Sequence, residues 1–171
     1  MTPPREQPMR KQLRITEYDY SRQNAYFVTI CIHGRVPLFG SVEKLPVGAA
    51  LRGRPNRPDL LVTKWLMELE YKFPGVLLDS YCVMPDHIHF ILIFDRDATY
   101  TLPQVIGWYK TITTNAYIRG VKDQLYAPYK NQFWQRTYFE HIIRNEIDLY
   151  ETRKYIEENP IRWLLRKQEH T

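Results

Sequence analysis

His87 and His89 flank a single isoleucine in the run Tyr81-Cys82-Val83-Met84-Pro85-Asp86-His87-Ile88-His89-Phe90-Ile91-Leu92-Ile93. Side chains alternate between the faces of a strand, so both imidazoles point the same way and converge on one point. Neutral imidazole is the commonest nitrogen ligand of divalent metals, and two rings at this spacing make half of a metal site. A strand whose polar face simply holds two histidines fits the same pattern. A second pair lies near the C-terminus, in Tyr155-Ile156-Glu157-Glu158-Asn159-Pro160. On a helix Tyr155 and Asn159, four apart, share a face. Each also has an ordinary structural use, the phenol ring as packing on a sheet and the amide as a C-cap before Pro160.

The elements that must position these groups follow from periodicity. Residues 25–33 alternate Tyr26, Val28, Ile30 and Ile32 against Phe27, Thr29, Cys31 and His33, which predicts a strand covered on both faces and ending in a surface histidine. Asp59 suits an N-cap for an amphipathic helix over 60–72, with Leu61, Trp65, Leu66 and Leu69 apolar and Phe73-Pro74-Gly75 ending it. Residues 76–84 and 87–94 predict two strands joined at Pro85-Asp86 as a hairpin. Thr101-Leu102-Pro103-Gln104 combines a capping box with proline in the first turn of a helix that Gly120 stops. The run Phe133–Phe139 favours β structure, with His141 after it in a structural or substrate-positioning role. Asn145 caps a closing helix over 146–159, whose buried side carries Leu149 and Ile156 and which Pro160 ends, leaving Tyr155 in the last turn. Strand, helix, strand, strand, helix, strand, helix is the order of an α+β, ferredoxin-like split βαβ antiparallel sheet with helices mainly on one face.

A chain of 171 residues makes one domain the simplest expectation, residues 24–171 behind a basic arm of residues 1–23. A proline- and arginine-rich loop over 37–58 interrupts it. No run approaches a membrane span in length, so a cytoplasmic protein is the default. Cys31 and Cys82 sit in apolar strands as buried hydrophobes, which argues against a disulfide scaffold or a zinc knuckle. With 24 lysines and arginines, a net charge of +5, 13 tyrosines and 4 tryptophans, the chain suits nucleic acid: cations track phosphates and aromatic faces stack on unpaired bases. Arg52, Arg54 and Arg57 in the loop, Lys110 and Arg119 on the middle helix, and Arg136 are the candidate DNA contacts, each of which also fits a solvated surface.

Taken together, His87-Ile88-His89, Tyr155 and Asn159 resemble the motif of the single-tyrosine HUH nucleases, most closely the IS200-type transposases associated with repetitive extragenic palindromes. The resemblance extends through Ala25–Cys31, Met84-Pro85-Asp86-His87, Thr113–Gly120, Phe133-Trp134-Gln135-Arg136 and His141–Arg144, most of the chain. It departs after Asn159-Pro160, where many relatives carry a small Ala-Gly step and this chain has Ile161-Arg162-Trp163.

The resemblance implies a site-specific endonuclease and transposase for single-stranded or hairpin DNA, with Tyr155 as nucleophile and a divalent metal, Mg²⁺ or Mn²⁺, on His87 and His89. Its product would be a 5′-phosphotyrosyl strand with a free 3′-hydroxyl. A covalent phospho-enzyme keeps the phosphodiester's energy for rejoining, which hydrolysis does not. A tyrosine phenol titrates near 10, so it needs a metal or an electropositive setting to attack at neutral pH. Asn159 would add an oxygen ligand, cap the helix, or do both. Relatives include monomers and dimers, and both states stay open. Two rivals remain: a domesticated hairpin-binding protein that does not cleave, and a metal-dependent hydrolase using activated water.

Overall fold

A computed structural model describes residues 24–40 and 56–169. The arm of residues 1–23, and Arg52 and Arg54 within the long loop, lie outside the described residues. The strands are β1 (Asn24–Cys31), β2 (Val76–Met84), β3 (His87–Phe94) and β4 (Phe139–Ile143); the helices are α1 (Pro58–Met67), α2 (Leu69–Lys72), α3 (Leu102–Lys122) and α4 (Glu146–Glu169). The four strands form one antiparallel sheet in the order β2-β3-β1-β4, the ferredoxin-like α+β arrangement. No helix among the described residues is long and apolar enough to cross a membrane.

Strand alternation divides the sheet into two apolar layers. Val28, Ile30, Ile88, Phe90 and Leu92 face α1, α2 and α3 and join Val62, Leu66, Val105, Ile106 and Tyr109 in the larger core. Ala25, Phe27, Ile91, Ile93 and Ile143 face the other way and meet Leu149 and Ile156 of α4. Every residue of β3 is buried, because the strand is central and covered on both sides. Leu149 and Ile156, one heptad apart, are 3% and 1% exposed, and each contributes about 1.5–3 kcal/mol to docking α4. An ion pair fixes the helix laterally. The bulge between Leu78 and Ser80 in β2 leaves Asp79 out of the ladder, and Arg153 of α4 donates Nε to its carboxylate at 2.8 Å.

The tight β2–β3 turn at Pro85-Asp86, the capping box of Thr101 and Gln104, and the Asn145 cap, whose Oδ1 accepts from Asp148 N–H at 2.9 Å, stand where the sequence puts them. Other boundaries move for tertiary reasons. Asp59 is not the N-cap of its helix: α1 starts at Pro58 after Arg57, whose guanidinium grips the buried Asp59 carboxylate. The helix expected over 60–72 divides at Glu68, and in α2 Glu70 Oε1 accepts from Leu78 N–H at 2.9 Å. Gly120 does not stop α3, which runs on to Lys122; a Cβ there would lie 2.2 Å from the Tyr126 ring, so glycine admits that ring. Phe133 and Trp134 do not join the ladder. They sink into the core, with only a bridge from Trp134 to Ile32, and the edge strand begins at Phe139, so His141 lies within it. Pro160 does not end α4 either. Its ring removes the N–H that would bond to the Ile156 carbonyl, but the helix continues to Glu169.

Candidate active site

The hairpin and β1 build the histidine pair. Register sets Thr29 opposite His89 and Cys31 opposite His87, on the sheet face that α4 covers. His87 Nε2 and His89 Nε2 are 3.0 Å apart, and both residues are buried. Each ring's other nitrogen is held. His87 Nδ1 donates to Asp86 Oδ1 at 2.5 Å, and Asp86 in turn takes Arg35 Nε at 3.0 Å. Thr29 Oγ1 lies 2.7 Å from His89 Nδ1. With Nδ1–H given to a carboxylate, which only accepts, a neutral His87 keeps its lone pair on Nε2. Burial pushes His89 down to about 3, with His87 and Arg35 lowering it further and Asp86 opposing them, so this ring is neutral at physiological pH.

Where Thr29 Oγ1 accepts from His89 Nδ1–H, that ring too turns its Nε2 lone pair toward His87, and two lone pairs so placed suit a cation between them. Nitrogens about 2.1 Å from one ion and at right angles about it would be about 3.0 Å apart, the separation here. The outer hydrogen bonds to Asp86 and Thr29 are the kind that orient ligating imidazoles. The pair therefore fits a divalent ion. Among the described residues no group of three His, Cys, Asp or Glu side chains is placed to hold one, so the remaining positions would fall to neutral oxygen donors, solvent or a substrate oxygen. The nearby Cys82 thiol, opposite His89 in the ladder, is pushed up to about 12 by burial, partly offset by a backbone hydrogen bond at His89, and is inert.

α4 brings the phenol to this point. The Tyr155 ring meets the His89 ring at 5.4 Å between centroids, in a T-shaped contact, and packs edge-on against Phe27 at 5.9 Å. Tyr155 is 39% exposed, so its ring is held on one side and open to solvent on the other. Asn159, one turn on, is buried, and Trp163, a further turn on, reaches the His87 ring at 6.0 Å. Pro160 thus does not detach the tail from the site; the uninterrupted helix returns a tryptophan to it. His141 stands apart from the pair. Its Nε2 donates to both Asp148 oxygens at 3.0 Å, tying β4 to the first turn of α4. Burial would raise Asp148, but the hydrogen bonds from His141 and Arg144 N–H outweigh it and hold the carboxyl below its ordinary value.

The cations divide into two groups. Arg57 is committed to Asp59, and Lys110 Nζ donates to the carbonyls of Gln135, Arg136 and Thr137 at 2.8, 3.1 and 3.4 Å. Arg119 and Arg136 are exposed. Thr29, Arg35, Asp86 and Phe27 are site residues that sequence reasoning did not single out. Asp86 had a signal, being the neighbour of His87 in a two-residue turn; Thr29 and Phe27 come from the neighbouring strand and Arg35 from the turn that follows it, and they had none.

The model of the family described as Transposase IS200 like matches residues 63–159, more than half of the chain. Among curated proteins, the chain is 29% identical over 167 residues to an uncharacterized protein of Haemophilus influenzae, covering 90% of this chain and 89% of that one. It is 31% identical over 98 residues to a second protein of that organism, provisionally named a REP-associated tyrosine transposase, covering 54% and 52%. A solved structure of a REP-associated tyrosine transposase bound to a REP hairpin shares the fold, with a TM-score of 0.58 and 19% identity over 84% of this chain and 70% of that one.

Proposed function

We propose, for a chain that belongs to the family of IS200-like transposases, that it cuts and rejoins single-stranded or hairpin DNA through a covalent bond to Tyr155. The observation that carries this reading is the contact of the Tyr155 ring with the paired histidines: one half-exposed phenol beside two inward-facing imidazoles. The solved structure of a REP-associated tyrosine transposase bound to a REP hairpin supports hairpin DNA as the substrate class. A cytoplasmic location, with access to the chromosome, goes with that substrate.

In the proposed reaction the Tyr155 oxygen attacks the scissile phosphorus. The phenol gives up its proton as the P–O bond to the protein forms, the P–O3′ bond breaks, and the leaving oxygen takes up a proton to become a free 3′-hydroxyl, so none is gained or lost overall. The strand stays joined by its 5′-phosphate, and attack by a 3′-hydroxyl reverses the step and frees the tyrosine. His87 and His89 would hold a divalent ion, Mg²⁺ or Mn²⁺, with Asn159 as a further candidate ligand; when bound, the ion supplies charge for a non-bridging phosphate oxygen. Phe27, packed against both Tyr155 and His89, keeps the phenol over the pair and limits water on its inner side. One chain supplies both the phenol and the imidazoles, which supports a site complete within a single subunit.

Incubating the protein with end-labelled single-stranded hairpin DNA and Mn²⁺ tests the reading. A denaturation-resistant adduct, lost in Tyr155→Phe, is the expected result. Cleavage that survives Tyr155→Phe would mean activated water, and tight binding with no cleavage would mean a domesticated binding protein.

A further inference from the structure

Phe139 opens β4 and is 60% exposed, although it sits on the sheet face that carries the site. β1 pairs Thr29 with His89 on one side and with Phe139 on the other, so His89, Thr29 and Phe139 form one row across three strands with their side chains on the same face. The ends of that row are two strand spacings apart, about 10 Å. In the adjacent row the buried Phe27 ring meets the Phe139 ring at 6.2 Å and the Tyr155 ring at 5.9 Å, both in T-shaped contacts. The candidate nucleophile and Phe139 therefore lean on the same ring, and both reach solvent.

A packing role explains Phe139 poorly. The residue is mostly exposed, and apolar area left in water contributes little to folding. Single-stranded nucleic acid supplies a partner of matching shape, since every unpaired base offers a π-face and stacking on an aromatic side chain tolerates any sequence. The exposed Arg136, three residues upstream, adds positive charge to the segment that carries the ring.

We infer that Phe139 is the stacking platform for an unpaired DNA base next to the scissile phosphate, holding the strand so that this phosphate lies at Tyr155 and the histidine pair. The inference rests on the single-strand cleavage proposed above.

The test uses the full chain in a Tyr155→Phe background, so that binding is read without cleavage, and a set of hairpin-flanking single strands with 2-aminopurine at successive positions. Quenching should concentrate at one position next to the cut, persist in Phe139→Trp, and disappear in Phe139→Leu with single-strand affinity lower by about 5- to 150-fold. Affinity for a fully paired duplex should not change. Equal quenching and affinity in Phe139→Leu would overturn the inference, as would a loss of affinity with no quenched position, which would mean apolar contact without stacking. Adduct formation by the chain with Tyr155 intact is scored separately. An adduct with no quenched position refutes the platform alone, and a quenched position with no adduct refutes the cleavage alone.

Discussion

Asp86 makes the sharpest demand on the proposed metal site. Its carboxylate lies 2.5 Å from His87 Nδ1; crossing the ring adds about 2 Å and a ligand bond about 2 Å more, which sets the negative charge roughly 6 Å from a bound ion. One unit charge and one divalent ion at about 6 Å interact by about 1.4 kcal/mol at a dielectric of 80 and about 2.8 kcal/mol at 40. Replacing the carboxylate by an amide, Asp86→Asn, removes this attraction and lets the side chain present an N–H to Nδ1, which favours the wrong tautomer of His87. The expected loss is tenfold to hundredfold in Mn²⁺ affinity, the range found for outer-shell carboxylates. Arg35, the other partner of Asp86, has a side chain 46% exposed and keeps its hydration, so the fold should survive. Titration calorimetry of the DNA-free protein with Mn²⁺ reads the affinity, with circular dichroism to confirm folding. A folded Asp86→Asn protein that binds Mn²⁺ within twofold of the parent would refute the claim that this carboxylate tunes a metal-bearing histidine.

Other consequences can be measured independently. Because His89 is held neutral down to about 3, the unfolded chain binds more protons than the native one between that value and its ordinary 6.5, so stability should fall as pH drops through this window, by up to about 1.4 kcal/mol per unit. Urea titrations at pH 7, 6 and 5 should show that slope in the parent and a weaker one in His89→Gln. Gly120→Ala should destabilise by about 1–3 kcal/mol, since the new methyl meets the Tyr126 ring; an unchanged melting temperature would contradict the packing. Lys110→Met should lower stability while leaving the salt dependence of DNA binding as it was, because the ammonium already serves three carbonyls. Arg119→Ala should leave stability alone and, if the exposed guanidinium meets a phosphate, reduce the salt slope by about one.

The local parts of this protein are written in its sequence. The period of two in β1 and β3 places His87 and His89 on one face, the capping box at Thr101 and Gln104 starts α3, and the spacing of Leu149 and Ile156 identifies the buried side of α4. These depend on neighbours a few residues away, and short-range sterics and hydrogen bonds settle them. Where elements end was another matter. Gly120 and Pro160 read as stops, yet Tyr126 needs the absent Cβ, and α4 runs on past Pro160 to bring Trp163 against His87. Phe133 and Trp134 read as strand, but two large rings contribute more in the core than on an edge. The surroundings of the histidines were least visible of all: Thr29 reaches His89 across 60 residues of chain, and Phe27 joins Tyr155 to Phe139 only because β1 lies between β3 and β4. Residue types and spacing state which groups could react; strand order and helix docking decide which of them touch, because those depend on contacts between segments that no local pattern encodes.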